Sequence, residues 1–548
     1  MAGPTRSADM EMPLPPDNFH ILDTTLRDGA QQEGLRLSVA DKLRIAGHLD
    51  ALGVTFIEGG WPGANPNDTA VFVAAAQELQ LANSRLVAFG STRKAGGRAA
   101  DDPLTAALRD AGTDYVCLVA KSHDAHVTHA LRTTLEENLA MVADTVSHLV
   151  EHGKHVFVDC EHFFDGYRAN PGYALEVVRT AAEAGAEVVV LCDTNGGMLP
   201  SQMGDVVSAA GAVGVDLGIH CHNDTGCAVA NTIAAVEAGA MHIQGTVNGY
   251  GERTGNADLT TVVANLQLKY GWPLLTDQQL AGLTHTSHAI ADITNQAPHT
   301  RQPYVGHSSF AHKAGLHASA IKVDADLYQH VDPSAVGNDM RMLISDMAGR
   351  ANVQIKGEQL GFDLSDRELA ARITEIIKRR EADGYSYEAA DASFELLLRD
   401  ELGELDAPFG IASWRVLTEH RPGDAEGDTY SEATVKLVAH DPELGPKRLA
   451  VVGEGNGPVD ALDDALTQAL VPVFGQVERF KLVDYRVRIM ETGGTDAVTR
   501  TLIDMSDGDH TWTTVGVGGN VIESSWEALS DAYFFGLVKG YGRPQPIQ

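Results

Sequence analysis

From about residue 18 to residue 275, short apolar runs alternate with amphipathic segments in a repeating rhythm. A helix-like stretch closes on a glycine, and an apolar run follows that ends in polar residues. The unit reads ALGVTFIEGG at 51–60, DAGTDYVCLV at 110–119, EHGKHVFVDC at 151–160, EAGAEVVVLCD at 183–193, AVGVDLGIHCH at 212–222 and EAGAMHIQGTV at 237–247. Gly53, Gly112, Gly153, Gly185, Gly214 and Gly239 stand where a helix end turns left-handed, a conformation open to a residue without Cβ. FHILD at 19–23 and RLVAFG at 85–90 bring the strands to eight. Strands that alternate with helices pair in parallel, so the pattern predicts an α/β fold, a (β/α)8 TIM barrel over 18–285. An open doubly wound sheet uses the same unit but rarely needs eight. Ser38 and Asp41 are spaced as a capping box, and Val39, Leu43, Ala46 and Leu49 then recur at helical spacing up to Gly53.

The rhythm stops near residue 290. Residues 286–405 read as linker subdomains: a histidine-rich loop, then helical segments such as SDRELAARITEIIKRREADG, where Ser365 and Glu368 are spaced as a capping box. Residues 406–542 read as an α+β domain with an internal pseudo-repeat. SEATVKLVA…KRLAVVGEGNGPVDALDDAL at 431–466 matches AVTRTLIDM…HTWTTVGVGGNVIESSWEAL at 497–529, each half running strand, hairpin, strand, Gly-rich turn, helix. Residues 1–17, with four prolines and no apolar centre, read as a flexible tail rather than an export signal.

Composition narrows the function. The formal charge of −34 and a pI near 4.9, with no Lys/Arg-rich stretch, argue against nucleic acid and anionic membranes as partners. No run of about 18 apolar residues is present to span a bilayer. The five cysteines include no C-x-x-C pair and sit mostly in or beside apolar runs, as expected of a chain in the reducing cytoplasm.

In such a barrel the chemistry gathers at the C-terminal strand ends. Here the first strand runs into Asp23-Thr24-Thr25-Leu26-Arg27-Asp28, the second ends at Glu58, the fifth at Asp159–Glu161, the sixth at Asp193-Thr194-Asn195 and the seventh at His220-Cys221-His222-Asn223-Asp224. Strand side chains alternate faces, so His220 and His222 point the same way. A lone H-x-H is often structural; at a barrel mouth, with Asp28 as carboxylate and Asn256 as a fourth oxygen ligand, it reads as a divalent-metal site. A site of two histidines and a carboxylate accepts manganese, magnesium, zinc or cobalt alike. Arg27 has two compatible roles, an ion pair with Glu58 and an electrophile for a developing oxyanion. Among His299, His307, His312 and His317, one could serve as a general base, and spacing does not select it. GEGNG at 453–457 lacks the context of a dinucleotide site. Arg93 and Lys94 could meet a phosphate, with solvated surface charge as the plainer reading.

LDTTLRDGAQ at 22–31, HCHNDTGCAVAN at 220–231 and NGYGERTGNADL at 248–259 resemble the three signatures of the isopropylmalate, homocitrate and citramalate synthases, and the third region resembles their regulatory domain. The wider superfamily includes 3-hydroxy-3-methylglutaryl-CoA lyase. The resemblance implies an acyltransferase that condenses acetyl-CoA with a 2-oxo acid. It makes Asp28, His220, His222 and Asn256 metal ligands, Arg27 the group that polarises the oxo-acid carbonyl, and Glu58 its acidic partner. Gln31 and Thr194 would contact the substrate. Glu161, His317 (in AGLHASAI) and Tyr328 (in LYQHVDP) would be catalytic. Ala30, where many relatives carry Glu, together with IEGGWPGANP and DCEHFFDGY, resembles the citramalate branch. That branch takes pyruvate; 2-oxoisovalerate is the alternative acceptor, and carbon–carbon lysis the more distant one. Trp61 is expected to restrict the acceptor. The resemblance further implies isoleucine as feedback inhibitor and, with the duplicated module, a homodimer.

Overall fold

The computed structural model describes residues 18–321, 323–344, 349–420, 429–490 and 497–543. The N-terminal tail expected over 1–17 lies outside them. The described chain divides into two compact units. One runs to Phe310 and takes in Val331–Asp339; the other takes in Ala311–His330 and the chain from Met340 onward.

The first unit is the expected barrel. Strands β1 (His20–Asp23), β2 (Phe56–Gly60), β3 (Arg85–Ser91), β4 (Tyr115–Lys121), β5 (His155–Glu161), β6 (Val188–Asp193), β7 (Asp216–Cys221) and β8 (His242–Gly245) pair in parallel in chain order. Pairing of β1 with β8, His20 opposite His242 through Asp23 opposite Gly245, closes the ring. All six helix-ending glycines have φ between 78° and 106°. Ser38 caps the helix Val39–Leu52 in a full capping box with Asp41. The helix Leu283–Thr294 runs across residue 285, where the sequence reading ends the barrel, and packs Leu283 and Ile290 into the same core.

Alternation along the strands sorts the barrel interior into levels. Leu22, Phe56, Val87, Cys117, Phe157, Val188 and Val190 fill its lower part with apolar atoms. One residue pair further along the same inward faces come Glu58, Asp159, His220 and Gln244, all buried. A polar layer thus rests on an apolar plug, which excludes water from below.

Besides the short helix Gly315–Ile321, the second unit holds the linker helices Arg350–Gln359, Arg367–Ala382 and Asp391–Leu402, and a two-stranded parallel pair, β9 (Ala311–His312) with β10 (Arg341–Met342). The second of these linker helices starts one residue later than the capping box at Ser365 implied. Asp366 is its N-cap, accepting from the N–H groups of Glu368 and Leu369, while the Ser365 N–H is taken by Asp363.

The pseudo-repeat is present and larger than the sequence match. Each copy begins one strand earlier, so β11 (Phe409–His420), β12 (Thr429–Asp441) and β13 (Gly445–Gly455) precede the helix Pro458–Leu470. Correspondingly, β14 (Lys481–Ile489), β15 (Thr499–Ser506) and β16 (Thr511–Gly518) precede Val521–Lys539. The added strands have mostly exposed faces, which weakens their hydrophobic alternation. The last strand of each copy meets its helix at equivalent glycines. A Cβ on Gly453 would lie 2.3 Å from the Ala465 nitrogen, and one on Gly516 would lie 2.2 Å from the Ser524 carbonyl oxygen. Both contacts are with backbone, so helix and strand would have to part. Gly516→Ala is therefore expected to destabilise this domain by about 1–3 kcal/mol, read as a lowered midpoint in denaturant titration. An unchanged midpoint would mean that the helix moves freely.

Candidate active site and metal centre

The turn after β1 folds back tightly. Asp23 accepts from the Thr25 N–H and hydroxyl, both at 2.9 Å, and the Thr25 hydroxyl accepts from the Val247 N–H of the loop after β8, also at 2.9 Å. This carries Arg27 and Asp28 to the barrel mouth. Arg27 Nε donates to Glu58 Oε2 at 2.7 Å, and its guanidinium carbon sits 3.8 Å from the centre of the Phe89 ring. Trp61 meets Phe89 edge-on, with ring centres 5.5 Å apart. Burial works against the Arg27 charge, but Glu58, Asp28 and Asp159 outweigh it and keep the group cationic.

His220 and His222 leave β7 on the same face, as alternation requires. Their Nε2 atoms lie 3.3 and 3.7 Å from Asp28 Oδ2. These three ligand atoms all fall within 4.8 Å of one another and belong to buried residues. Burial and the neighbouring His220 hold His222 down to about 4, so its ring is neutral with a lone pair to give at neutral pH. Burial opposes ionisation of Asp28, yet Arg27 and the imidazoles hold its carboxyl well below the usual range.

Asn256 comes from the glycine-rich loop after β8. Gly255 adopts φ 90°, and a Cβ there would be 1.9 Å from the Gly249 carbonyl oxygen, so only glycine lets the loop close on itself. An isolated bridge pairs Asn256 with His222. The Asn256 amide nitrogen donates to the Tyr250 carbonyl at 3.0 Å, while its Oδ1 is buried with no hydrogen-bond partner among the described residues. Two imidazoles, a carboxylate and an unengaged amide oxygen suit a divalent ion.

These groups open on a cavity of about 250 Å³ lined by Arg27, Asp28, Gln31, Trp61, Glu161 and Thr194, among others. Glu161 pairs with Lys121, the last residue of β4. Thr194 accepts the His162 N–H at 2.8 Å. His317 and Tyr328 belong to the second unit, where their rings stack 4.1 Å apart. His299 and His307 fall in the first unit and His312 in the second. Arg93 corrects the plainer reading given to it. It is 6% exposed and bonded to Glu137 and Asp144 at 2.7 and 2.5 Å, so its charge is neither solvated nor free for a phosphate.

Three family models cover the chain: HMGL-like over residues 18–290, homocitrate synthase post-HMGL domain-like over 304–384, and the LeuA allosteric (dimerisation) domain over 388–535. An (R)-citramalate synthase of Streptomyces coelicolor is 61% identical over 527 residues, 95% of this chain and 97% of the relative. One of Synechocystis is 47% identical, over 94% of this chain and 96% of its own. The chain belongs to the (R)-citramalate synthase family. Across the same span, a probable 2-isopropylmalate synthase of Methanopyrus kandleri is 33% identical, covering 94% of this chain and 97% of its own.

In this family member the structure adds residues that the sequence reading passed over. Arg253 is held with φ 57°. It forks onto Asp224, with Nε to Oδ1 at 2.8 Å and Nη2 to Oδ2 at 3.0 Å, and Nη2 also reaches the Thr194 carbonyl at 2.7 Å. It ties together the loops after β6, β7 and β8. The signal was available in GERTGN, but its role needed the loops in place. Gln244 on β8 accepts at Oε1 from His220 Nδ1 at 3.0 Å and donates through Nε2 to Asp159 Oδ1 at 2.8 Å. Period-two spacing from Thr246 and Glu161 would have put both on the inner face. Replacing Arg253 by Lys keeps a charge and loses the fork. Amide hydrogen exchange in residues 248–257 is expected to quicken by about tenfold, the cost of a lost charge-assisted bond; unchanged exchange would mean that the loop holds itself.

Proposed function

We propose that the barrel condenses acetyl-CoA with pyruvate to give (R)-citramalate and CoA, with water consumed in thioester hydrolysis. The observation that carries this reading is the sharing of one cavity by the locked Arg27 guanidinium and the Asp28–His220–His222 donor set. The names of the (R)-citramalate synthases matching the whole chain support the same reaction.

A divalent ion, manganese or magnesium by preference, held by Asp28, His220, His222 and Asn256 would supply Lewis-acid polarisation of the keto group and a template for the 2-oxo acid. Arg27, fixed by Glu58 and Phe89, offers its remaining N–H groups to the keto oxygen as that atom takes up negative charge. Thr194 and Gln31, on the cavity wall, are assigned to the pyruvate carboxylate. A methyl proton leaves acetyl-CoA, the resulting carbon attacks the keto carbon, and the new alkoxide is protonated before water displaces CoA. The proton acceptor in the cavity is assigned to Glu161, with Lys121 on its carboxylate, and catalytic roles are assigned to His317 and to Tyr328, whose ring stacks on that imidazole.

The α+β domain is assigned to feedback control by isoleucine and to homodimer formation. The LeuA dimerisation-domain match over 388–535 supports the second role. So do Leu417, Val452, Val483, Val487 and Ile489, apolar side chains left exposed on its strands. All five cysteines are free, four of them buried, in keeping with a cytoplasmic setting. No described helix is long and apolar enough to cross a membrane.

The test is CoA-thiol release with pyruvate, 2-oxoisovalerate and 2-oxoglutarate offered separately. Turnover is expected with pyruvate, lost on chelation, restored by manganese and inhibited by isoleucine. Preference for 2-oxoisovalerate would move the chain to the isopropylmalate branch, and no thiol release would overturn the synthase reading. Trp61 and Phe89 are assigned to the wall that limits the acceptor's side chain. Trp61→Ala is expected to shift kcat/KM toward 2-oxoisovalerate over pyruvate by about tenfold or more, the scale of added methylenes in an apolar pocket. An unchanged ratio would take Trp61 out of that wall.

A further inference from the structure

A chain of buried polar groups crosses the barrel interior at the cavity wall, which Asp159 and His220 line, and meets the donor set through Gln244, which does not line it. Asp159 of β5, 4% exposed, faces Gln244 of β8, 0% exposed, which faces His220 of β7, 6% exposed. Gln244 and His220 sit opposite each other in the β7–β8 register, so their inward side chains are neighbours by construction. The contacts are 2.8 Å from Gln244 Nε2 to Asp159 Oδ1 and 3.0 Å between Gln244 Oε1 and His220 Nδ1. The remaining ring nitrogen of His220, Nε2, is the one 3.3 Å from Asp28 Oδ2.

The direction of each bond follows from what each group can give. A carboxylate only accepts, so the amide must turn its NH2 toward Asp159. That leaves the amide oxygen, an acceptor, against His220 Nδ1, which must therefore carry the proton. In the neutral ring that a metal ligand must be, a proton on Nδ1 leaves the lone pair on Nε2. A glutamine that could rotate end for end would leave the tautomer open; one clamped by a carboxylate does not. We propose that Gln244 is a positioning residue, oriented by Asp159, that fixes the tautomer and ring orientation in which His220 Nε2 serves as a metal ligand. Outer partners of this kind orient the ligand and raise its basicity, and their loss typically weakens metal binding about 10–100-fold. The inference rests on the metal reading given above and is tested separately from it.

The measurement is calorimetric titration of manganese into the full-length protein without substrates, for the native chain and for Gln244→Met, Gln244→Asn and Gln244→Glu. Methionine fills the space without an acceptor, and asparagine is a methylene too short to reach both partners. Glutamate keeps the pattern by sharing one proton with Asp159. The Met and Asn variants are expected to bind manganese about 10–100-fold more weakly, and the Glu variant to stay within about twofold, the scatter of independent sites. In a His220→Ala background, Gln244→Met should change the residual affinity by no more than about twofold, because its effect passes through that ring. At saturating manganese the Met variant should regain most of its kcat.

Thermal unfolding identifies any variant that fails to fold, and the other short variant then carries the comparison. Folded Met or Asn variants with native affinity would overturn the proposal. So would a Glu variant as weak as Met, or a full Met effect without His220. If the native chain itself takes up no manganese, magnesium, zinc or cobalt, the metal reading falls and this inference with it. Native binding with silent Gln244 variants would sink the inference alone.

Discussion

Asp28 sets the terms for everything around it. A carboxylate 4% exposed at the end of an apolar barrel can stay ionised only if positive or strongly donating groups surround it. Arg27 supplies the charge directly, a divalent ion shared with His220 and His222 would add to it, and each of these residues needs its own support. Arg27 is held by Glu58 from the neighbouring strand and by the face of Phe89. His220 is held by Gln244, and Gln244 by Asp159. The polar layer is therefore a connected set drawn from β1, β2, β5, β7 and β8. Removing one member leaves a buried partner unsatisfied rather than merely losing a contact.

The barrel makes this layer affordable. Each strand alternates faces, so one residue step decides whether a side chain meets the apolar plug or the helical shell. Phe157, Asp159 and Glu161 show the gradation on a single strand, passing from dry core through buried polar layer to cavity wall. The loops complete the mouth by backbone closeness rather than by apolar packing. Gly255 lets the last loop fold onto Gly249, and Arg253 staples it to its neighbours. Loops that are polar and tightly bonded can carry chemistry without giving up position.

The second unit solves a different problem. In two copies of a three-stranded sheet with a helix, glycines at matching strand positions let the strand meet the helix backbone at Ala461 and Ala465 in one copy and at Ser524 and Ala528 in the other. The outer strands keep apolar side chains exposed, as expected of a surface that a second copy would cover.

Periodicity determined much of this by itself. The eight strands, the parallel barrel, the shared face of His220 and His222 and the duplicated module all follow from spacings of two, of 3.6 and of a longer repeat, which are properties of the chain before it folds. Signature residues pointed to Arg27, Asp28, Glu58 and Asn256. The extra strands β11 and β14, the shifted helix cap at Asp366 and the internal pairing of Arg93 were not legible there. Nor were the Lys121–Glu161 pair and the passage from Asp159 through Gln244 to His220. The cap is a local choice between neighbouring side chains, since Asp363 takes the Ser365 N–H. The side-chain pairings depend on residues tens of positions apart meeting in space, and a charge reads the same in sequence whether its partner lies in solvent or on the next strand. The tertiary structure alone chose those partners, because burial leaves no water to satisfy a polar group and so forces it to find one.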